Sequence, residues 1–202
     1  MNANDQKVQL IVADPTVIGL FGLSMVTLVA SSQKMGWTDG LSFVLPWAIF
    51  LGSIAQLIAS AYDFKHNNLF GANVFAAYGL FWIGVAFSWM VNMGVFGETL
   101  KAAVDIRQLG VAFVGYLIFS IFGTLVATGT NKVIFTIMFL IDILFISLSL
   151  DAFGLGGNWA HGLAAWTEFL ISLLGFYGTG ATFLNKFFGK VILPVGKPFP
   201  LF

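Results

Sequence analysis

Long apolar runs separated by short polar joints make up nearly the whole chain. Positions 16–30, 41–62, 70–95, 110–128, 132–150 and 161–183 are dominated by apolar side chains on all faces of a helix, with no single amphipathic stripe. A hydrocarbon core of about 30 Å takes roughly 20 apolar residues in helical form, and these segments are close to that length. Barrel strands are shorter and alternate apolar with polar, so the pattern predicts membrane-spanning helices. The joints at 31–40, 63–69, 97–109, 129–131 and 151–160 hold polar residues, glycines and most of the charges. In the third joint Glu98, Lys101, Asp105 and Arg107 stand at helical spacing. That spacing fits either a short interfacial helix or a solvated loop. No linker or low-complexity tract divides the chain, so residues 1–202 are read as one six-helix membrane domain.

Composition sharpens this picture. Hydrophobic residues make up 58% and charged residues 9% of the chain, against about 25% charged in soluble domains. Mean hydropathy is +0.93. A net charge of +0 offers no basic field for nucleic-acid phosphates. The chain has no Cys, and its two His are His66 and His161, so neither a thiolate nor a polyhistidine metal site is expected. No phosphate loop or dinucleotide fingerprint appears. Ser24 with His161 lacks the second glycine and the oxyanion hole of an intramembrane protease. The expectation is a protein without cofactor that is not an enzyme.

Asp5 and Asp14 outweigh Lys7 ahead of the first span, which does not fit the basic start of a signal peptide. Asp14-Pro15 reads instead as a helix start, with Asp as cap and Pro in the first turn. With an even number of spans both termini share one side. That side carries Lys7, Lys65, Lys132, Lys186, Lys190 and Lys197, against Lys34, Lys101 and Arg107 on the other. The positive-inside rule then puts both termini in the cytoplasm.

Two acids interrupt the spans. By residue count Asp142 and Glu168 both fall in the middle zone, with no basic residue at that depth. A lone carboxyl there is costly unless it faces the bundle interior or a water path. Both are therefore candidate proton-linked residues, at least one of them protonated at neutral pH; the alternative is hydrogen-bonded glue between helices. His161, Ala164, Ala165, Glu168, Ser172, Gly175 and Thr179 form a small, polar stripe along the last helix. It reads as a face bordering a solute path, or as a close packing seam. Gly19 and Gly22, one turn apart, read as a packing contact. Gln56, Asn73, Tyr78 and Ser120 are neutral polar inserts.

Several motifs resemble those of the acetate uptake transporters, also called succinate–acetate permeases. Asp14-Pro15-Thr16-Val17-Ile18-Gly19-Leu20 is similar to the family's opening Asn-Pro-Ala-Pro-Leu-Gly-Leu. Gly52-Ser53-Ile54-Ala55-Gln56 resembles Gly-Gly-Ile-Ala-Gln. Asn68-Leu69-Phe70-Gly71 and Ala77-Tyr78-Gly79-Leu80-Phe81-Trp82 resemble Asn-Thr-Phe-Gly and Ser-Tyr-Gly-Ser-Phe-Trp. The tail Phe188-Gly189-Lys190 through Leu193-Pro194-Val195-Gly196 is similar to Phe-Gly-Arg-Thr-Val-Leu-Pro-Ile-Gly. The resemblance implies a six-helix protomer whose bundle contains its own pore, assembled as a homohexamer in the lipid of the plasma (inner) membrane. It implies acetate, and sometimes succinate, as the solute. The family's apolar constriction falls on Leu23, Tyr78 and Ile141, and Gly19, Gln56 and Asn73 become candidate substrate-binding residues. The sequence departs from the pattern at Asp14, where the family has Asn, and at Val17, where it has Pro. The positions of Asp142 and Glu168 are uncharged in the family's pattern. A channel for a small neutral solute such as urea, an amide or ammonia is the alternative, and a carboxylate sensor without flux is a third reading.

Overall fold

The computed structural model describes residues 12–201. Asp5 and Lys7, used above in the signal-peptide and orientation arguments, lie outside the described residues. Among the described residues every regular element is helical. Helix α1 (Thr16–Lys34) starts where the Asp14 carboxylate accepts the Thr16 N–H at 2.9 Å. The second crossing runs over Val44–Lys65 without a break. It is built from α2 (Val44–Trp47), a π-helical segment (Ala48–Ala55) and α3 (Gln56–Lys65). Helix α4 (Leu69–Asn92) is capped by Asn68, whose side chain accepts the Gly71 N–H. The short helix α5 (Glu98–Ala102) forms in the third joint. Helices α6 (Arg107–Ala127) and α7 (Lys132–Ala152) follow, the latter capped by Asn131 through the Ile134 N–H. Helix α8 (Gly157–Phe188) ends at Gly189 in the left-handed conformation.

Five helices are long and apolar enough to cross a membrane: α1, the Val44–Lys65 helix, α4, α6 and α7. The sixth expected span corresponds to α8. Its 32 residues give about 48 Å of helix, but its polar stripe lowers its hydropathy. The observed helices overrun several predicted ends. Helix α1 continues past position 30 because Ser31 and Ser32 turn their hydroxyls back onto the Leu28 and Val29 carbonyls, at 3.0 and 2.7 Å. Serines that bond within the helix need no water, so a polar residue there does not end it.

Short joints make consecutive crossings antiparallel, so α1, α4 and α7 all begin on one side. Helix α8 packs between α1 and α7, α7 packs on α6, and the π-helical segment and α3 pack on both α1 and α4. The bundle so formed keeps α1, α4 and α7 around its axis. Without a hydrophobic drive between helices in lipid, close approach needs small residues. A Cβ on Gly52 would sit 2.9 Å from the Trp82 ring and 3.0 Å from Val26. Within this crossing the Gln56 side-chain amide donates to the Gly52 carbonyl at 2.7 Å. The C-terminal segment folds back over the starting ends of the inner helices. Val133 N–H donates to the Val195 carbonyl at 3.2 Å, and Tyr177 Oη donates to the Pro194 carbonyl at 2.7 Å.

Candidate functional site: a cavity closed by a three-residue septum

A cavity of about 190 Å³ lies among α1, α3, α4 and α7. Thr16, Asn68, Gly71, Thr130 and Asn131 form its mouth, at the starting ends of the three inner helices. Deeper, the wall becomes apolar with Leu20, Phe75, Ile134 and Ile137, and it reaches Leu23, Tyr78 and Ile141. Farther along the axis lies a second void of about 20 Å³, lined by Thr27, Phe81, Trp82, Leu144, Phe145 and Ile171. Leu23, Tyr78 and Ile141 line this void as well, and no other residue borders both spaces. They form a septum, with 6%, 3% and 4% of their surfaces exposed. A void admits a water once it offers about 10–15 Å³. The inner space is no larger than about one water, and its apolar lining, with the Thr27 hydroxyl turned to the Leu23 carbonyl, offers that water no partner.

The mouth is electrostatically mild. Three helix N-termini give it a partial positive character. Asp14 stands beside it, but the Lys186 Nζ lies 3.3 Å from its carboxylate. Burial alone would raise the Asp14 pKa. The Thr16 hydroxyl and N–H, together with Lys186, outweigh that and hold it below the usual carboxylate range. Asp14, Asn185, Lys186 and Lys190 line an adjoining groove that shares Thr16 and Asn131 with the mouth.

The predicted site residues separate here. Leu23, Tyr78 and Ile141 come together, from three different helices. Gln56 borders the cavity; one of its two amide hydrogens goes to the Gly52 carbonyl, and its Oε1 is buried without a partner. Asn73 does not border the cavity: it is exposed on the outer face of α4, donating to the Leu69 carbonyl at 2.8 Å. Gly19 is also outside the cavity lining. A Cβ there would stand 2.6 Å from the Phe75 ring and 2.9 Å from Ala59, so Gly19 is a packing contact.

The two acids do not share a site. Glu168 pairs with Lys34 at 2.8 Å, which overturns the expectation that nothing basic reaches its depth. The cause is the overrun of α1, which ends in Lys34 and lets its long stem carry the ammonium inward along apolar surface. Asp142 turns instead to α6, where Thr124 Oγ1 donates to its Oδ2 at 2.7 Å. The stripe on α8 is the α1–α8 seam: Ala164, Ala165, Glu168, Ser172 and Gly175 are buried, and a Cβ on Gly175 would collide with Ser24 Oγ. None of these residues borders the cavity. His161 sits at the exposed end, 3.3 Å from Asp151.

Sequence reasoning passed over the mouth. Asn68 and Asn131 cap α4 and α7 and border the cavity, and an Asn before each apolar run is a legible cap signal. Asp63, 1% exposed, accepts the Asn68 amide at 2.9 Å and fixes its orientation.

The sequence pattern of the GPR1/FUN34/yaaH family matches residues 2–197. The chain is 31% identical over 188 residues to the "Succinate-acetate/proton symporter SatP" of Escherichia coli (strain K12), covering 92% of this chain and 96% of that protein. It is 28% identical over 145 residues to "Ammonia transport outward protein 2" of Saccharomyces cerevisiae, covering 70% of this chain and 51% of that protein. Among solved structures, the bacterial acetate channel SatP superposes with a TM-score of 0.83 at 27% identity, covering 92% of this chain and 100% of that one.

Proposed function

The chain belongs to the GPR1/FUN34/yaaH family, and from that premise we propose that it carries small carboxylates across the membrane, acetate first and succinate beside it. The septum is the observation that supports the reading. Three side chains from α1, α4 and α7 separate a polar-mouthed cavity from a nearly dry inner void. An apolar ring of this kind gates by dewetting and passes a solute only after its hydration is stripped. Stripping a carboxylate is costly, and stripping the neutral acid much less so. Gln56 fits the second: it borders the cavity, and a turn of its side chain brings the buried, unpartnered Oε1 to the cavity to accept the O–H of a protonated acid, whereas a carboxylate has no proton to give it. Crossing as the acid carries one proton with each acetate. Leu23, Tyr78 and Ile141 then set the size limit, and Gln56 binds the acid ahead of them.

In this reading α8 is the sixth crossing, held along α1 and α7. Both termini and the cavity mouth face the cytoplasmic side of the plasma membrane, where the lysines are more numerous. Each subunit of a homohexamer has its own pore. The apolar outer groove formed by Leu69, Phe70, Phe119 and Phe122 supports helix packing between copies. The reading assigns no catalytic residue and no cofactor.

Uptake of radiolabelled acetate into proteoliposomes, with and without an acidic exterior, tests the function. Saturable uptake, faster with the acidic exterior, is the expected result, and no uptake above empty liposomes overturns it. A second reading, passage of ammonia, is favoured by the likeness to the yeast ammonia transport outward protein and by a septum with no fixed charge. Ammonia-driven alkalinisation of the vesicle lumen without acetate uptake would select it.

A further inference from the structure

The polar group of the septum has a carboxyl behind it. Tyr78 Oη lies 2.9 Å from Ser120 Oγ, and Ser120, on α6, is fully buried. Ser120 stands one turn before Thr124 on the face of α6 that meets Asp142, and no hydrogen bond joins its hydroxyl to that carboxyl in this structure. One turn along α6, Thr124 donates to Asp142 Oδ2 at 2.7 Å, while Oδ1 is shielded from solvent and has no partner. Asp142 directly follows Ile141, so one residue of α7 borders the septum and the next turns into the α6–α7 seam behind it. Met138, a turn earlier on α7, lines the cavity with its sulfur 3.8 Å from the Tyr78 hydroxyl. The titratable neighbours of this cluster are Tyr78 on α4 and Tyr116 on α6. Glu168 on α8 is turned to Lys34, and among the described residues no Lys, Arg or His pairs with Asp142.

Hydrogen bonds have a direction, and this row has two. An ionised carboxylate only accepts. With its hydrogen turned to the unpartnered Asp142 Oδ1, Ser120 accepts from Tyr78, so both hydroxyl hydrogens point away from the cavity. A protonated carboxyl has a hydrogen to give. When Asp142 donates to Ser120 Oγ, Ser120 donates to Tyr78 Oη, and the Tyr78 hydrogen is released to turn toward the cavity. Only one O–H bond forms, at Asp142, with a proton drawn from the medium as it acidifies. Resting on the carboxylate-transport reading, we propose that Asp142 is a positioning residue whose protonation, passed through Ser120, turns the Tyr78 O–H toward a carboxylic solute at the septum.

Two measurements on the full-length protein decide this. The first is the rate of acetate uptake in proteoliposomes from weakly acidic to neutral pH. Asp142→Asn keeps the shape but no longer titrates, and it should lower the acidic-to-neutral rate ratio about fivefold, the worth of one hydrogen bond. Tyr78→Phe should do the same, and adding Asp142→Asn to Tyr78→Phe should change nothing further. Asp142→Glu should restore a titrating step. The second is infrared titration without solute. A protonated-carboxyl band absent from Asp142→Asn should rise with acidification, and the Tyr78 C–O band should shift with it; Ser120→Ala should uncouple the two.

A wild-type pH profile in Asp142→Asn overturns the relay, as do additive effects in the double variant. So does an Asp142 band that titrates without moving the tyrosine band. Failure of the transport reading is distinct: wild-type protein then moves no acetate, and the infrared titration still decides whether Asp142 governs Tyr78.

Discussion

Leu23 and Ile141 close the septum by volume alone, while Tyr78 adds a hydroxyl that already has a partner. Trimming an aliphatic residue should therefore widen the passage without altering its chemistry. Leu23→Ala and Ile141→Ala should raise butyrate uptake relative to acetate by roughly tenfold, the order expected when about 1.4 kcal/mol of steric discrimination is lost. Competition uptake measures the ratio, and an unchanged ratio removes these side chains from the constriction. Each truncation also costs stability, about 2–5 kcal/mol for a buried aliphatic residue, so thermal melts must accompany the flux. Asp14 behaves differently because it is charged and compensated. Its carboxyl titrates below the usual range in the folded protein. The stability it contributes is thus present above the unfolded-state pKa and lost as pH falls through the lowered folded value. Asp14→Asn should lower the melting temperature at neutral pH, and the difference from wild type should vanish in acid. A gap that persists in acid would mean that Asp14 acts through shape and not charge.

Between helices the seams are specified by small residues and by one ion pair. Along the α1–α8 seam Gly175 lets Ser24 approach, and near its end Glu168 meets Lys34 at 2.8 Å. With side chains only 15% and 2% exposed, that pair is largely out of water. Removing one partner of such a pair leaves a buried charge and costs about 3–5 kcal/mol, whereas replacing both is far milder. Lys34→Met should therefore destabilise the bundle strongly, and Lys34→Met with Glu168→Gln should recover most of the loss in a detergent melt. Equal destabilisation by the single and double variants would show that Lys34 stabilises by packing. The π-helical segment links seam to site. Gly52 lies against Trp82, and its carbonyl accepts the Gln56 amide that borders the cavity.

At the scale of the molecule, the outer faces are broad and apolar. Phe122, Phe87, Val111 and Ile118 are each half or more exposed on the single protomer. In lipid that is no fault, and the groove at Leu69, Phe70, Phe119 and Phe122 is an apolar part of that outer face. Native mass spectrometry from mild detergent should find a particle about six times the 21.9 kDa protomer. A monodisperse single protomer would exclude the hexamer and leave the pore within the chain untouched.

How much of this was legible depends on what the bilayer constrains. Inside lipid a backbone must satisfy itself, so apolar runs of spanning length are helices whatever their neighbours. That alone predicted every long helix, and the Asp14-Pro15 start was equally open to reading. The septum was legible only through motif resemblance, since nothing in Leu23 or Ile141 marks it as different from the other aliphatic residues around it. Helices apolar on every side carry no stripe that says which face turns inward. Asn73 and Gln56 looked alike as polar inserts, yet rotation about the helix axis puts one outside and the other against the cavity. The acids depended in the same way on what lay across from them. Residue count gave Glu168 and Asp142 a common depth, but the overrun of α1 supplied Lys34 to one, and the facing turn of α6 supplied Thr124 to the other. Helix existence is a local property of the chain and lipid; azimuth, helix ends and polar partners belong to packing, and only the tertiary structure decided them.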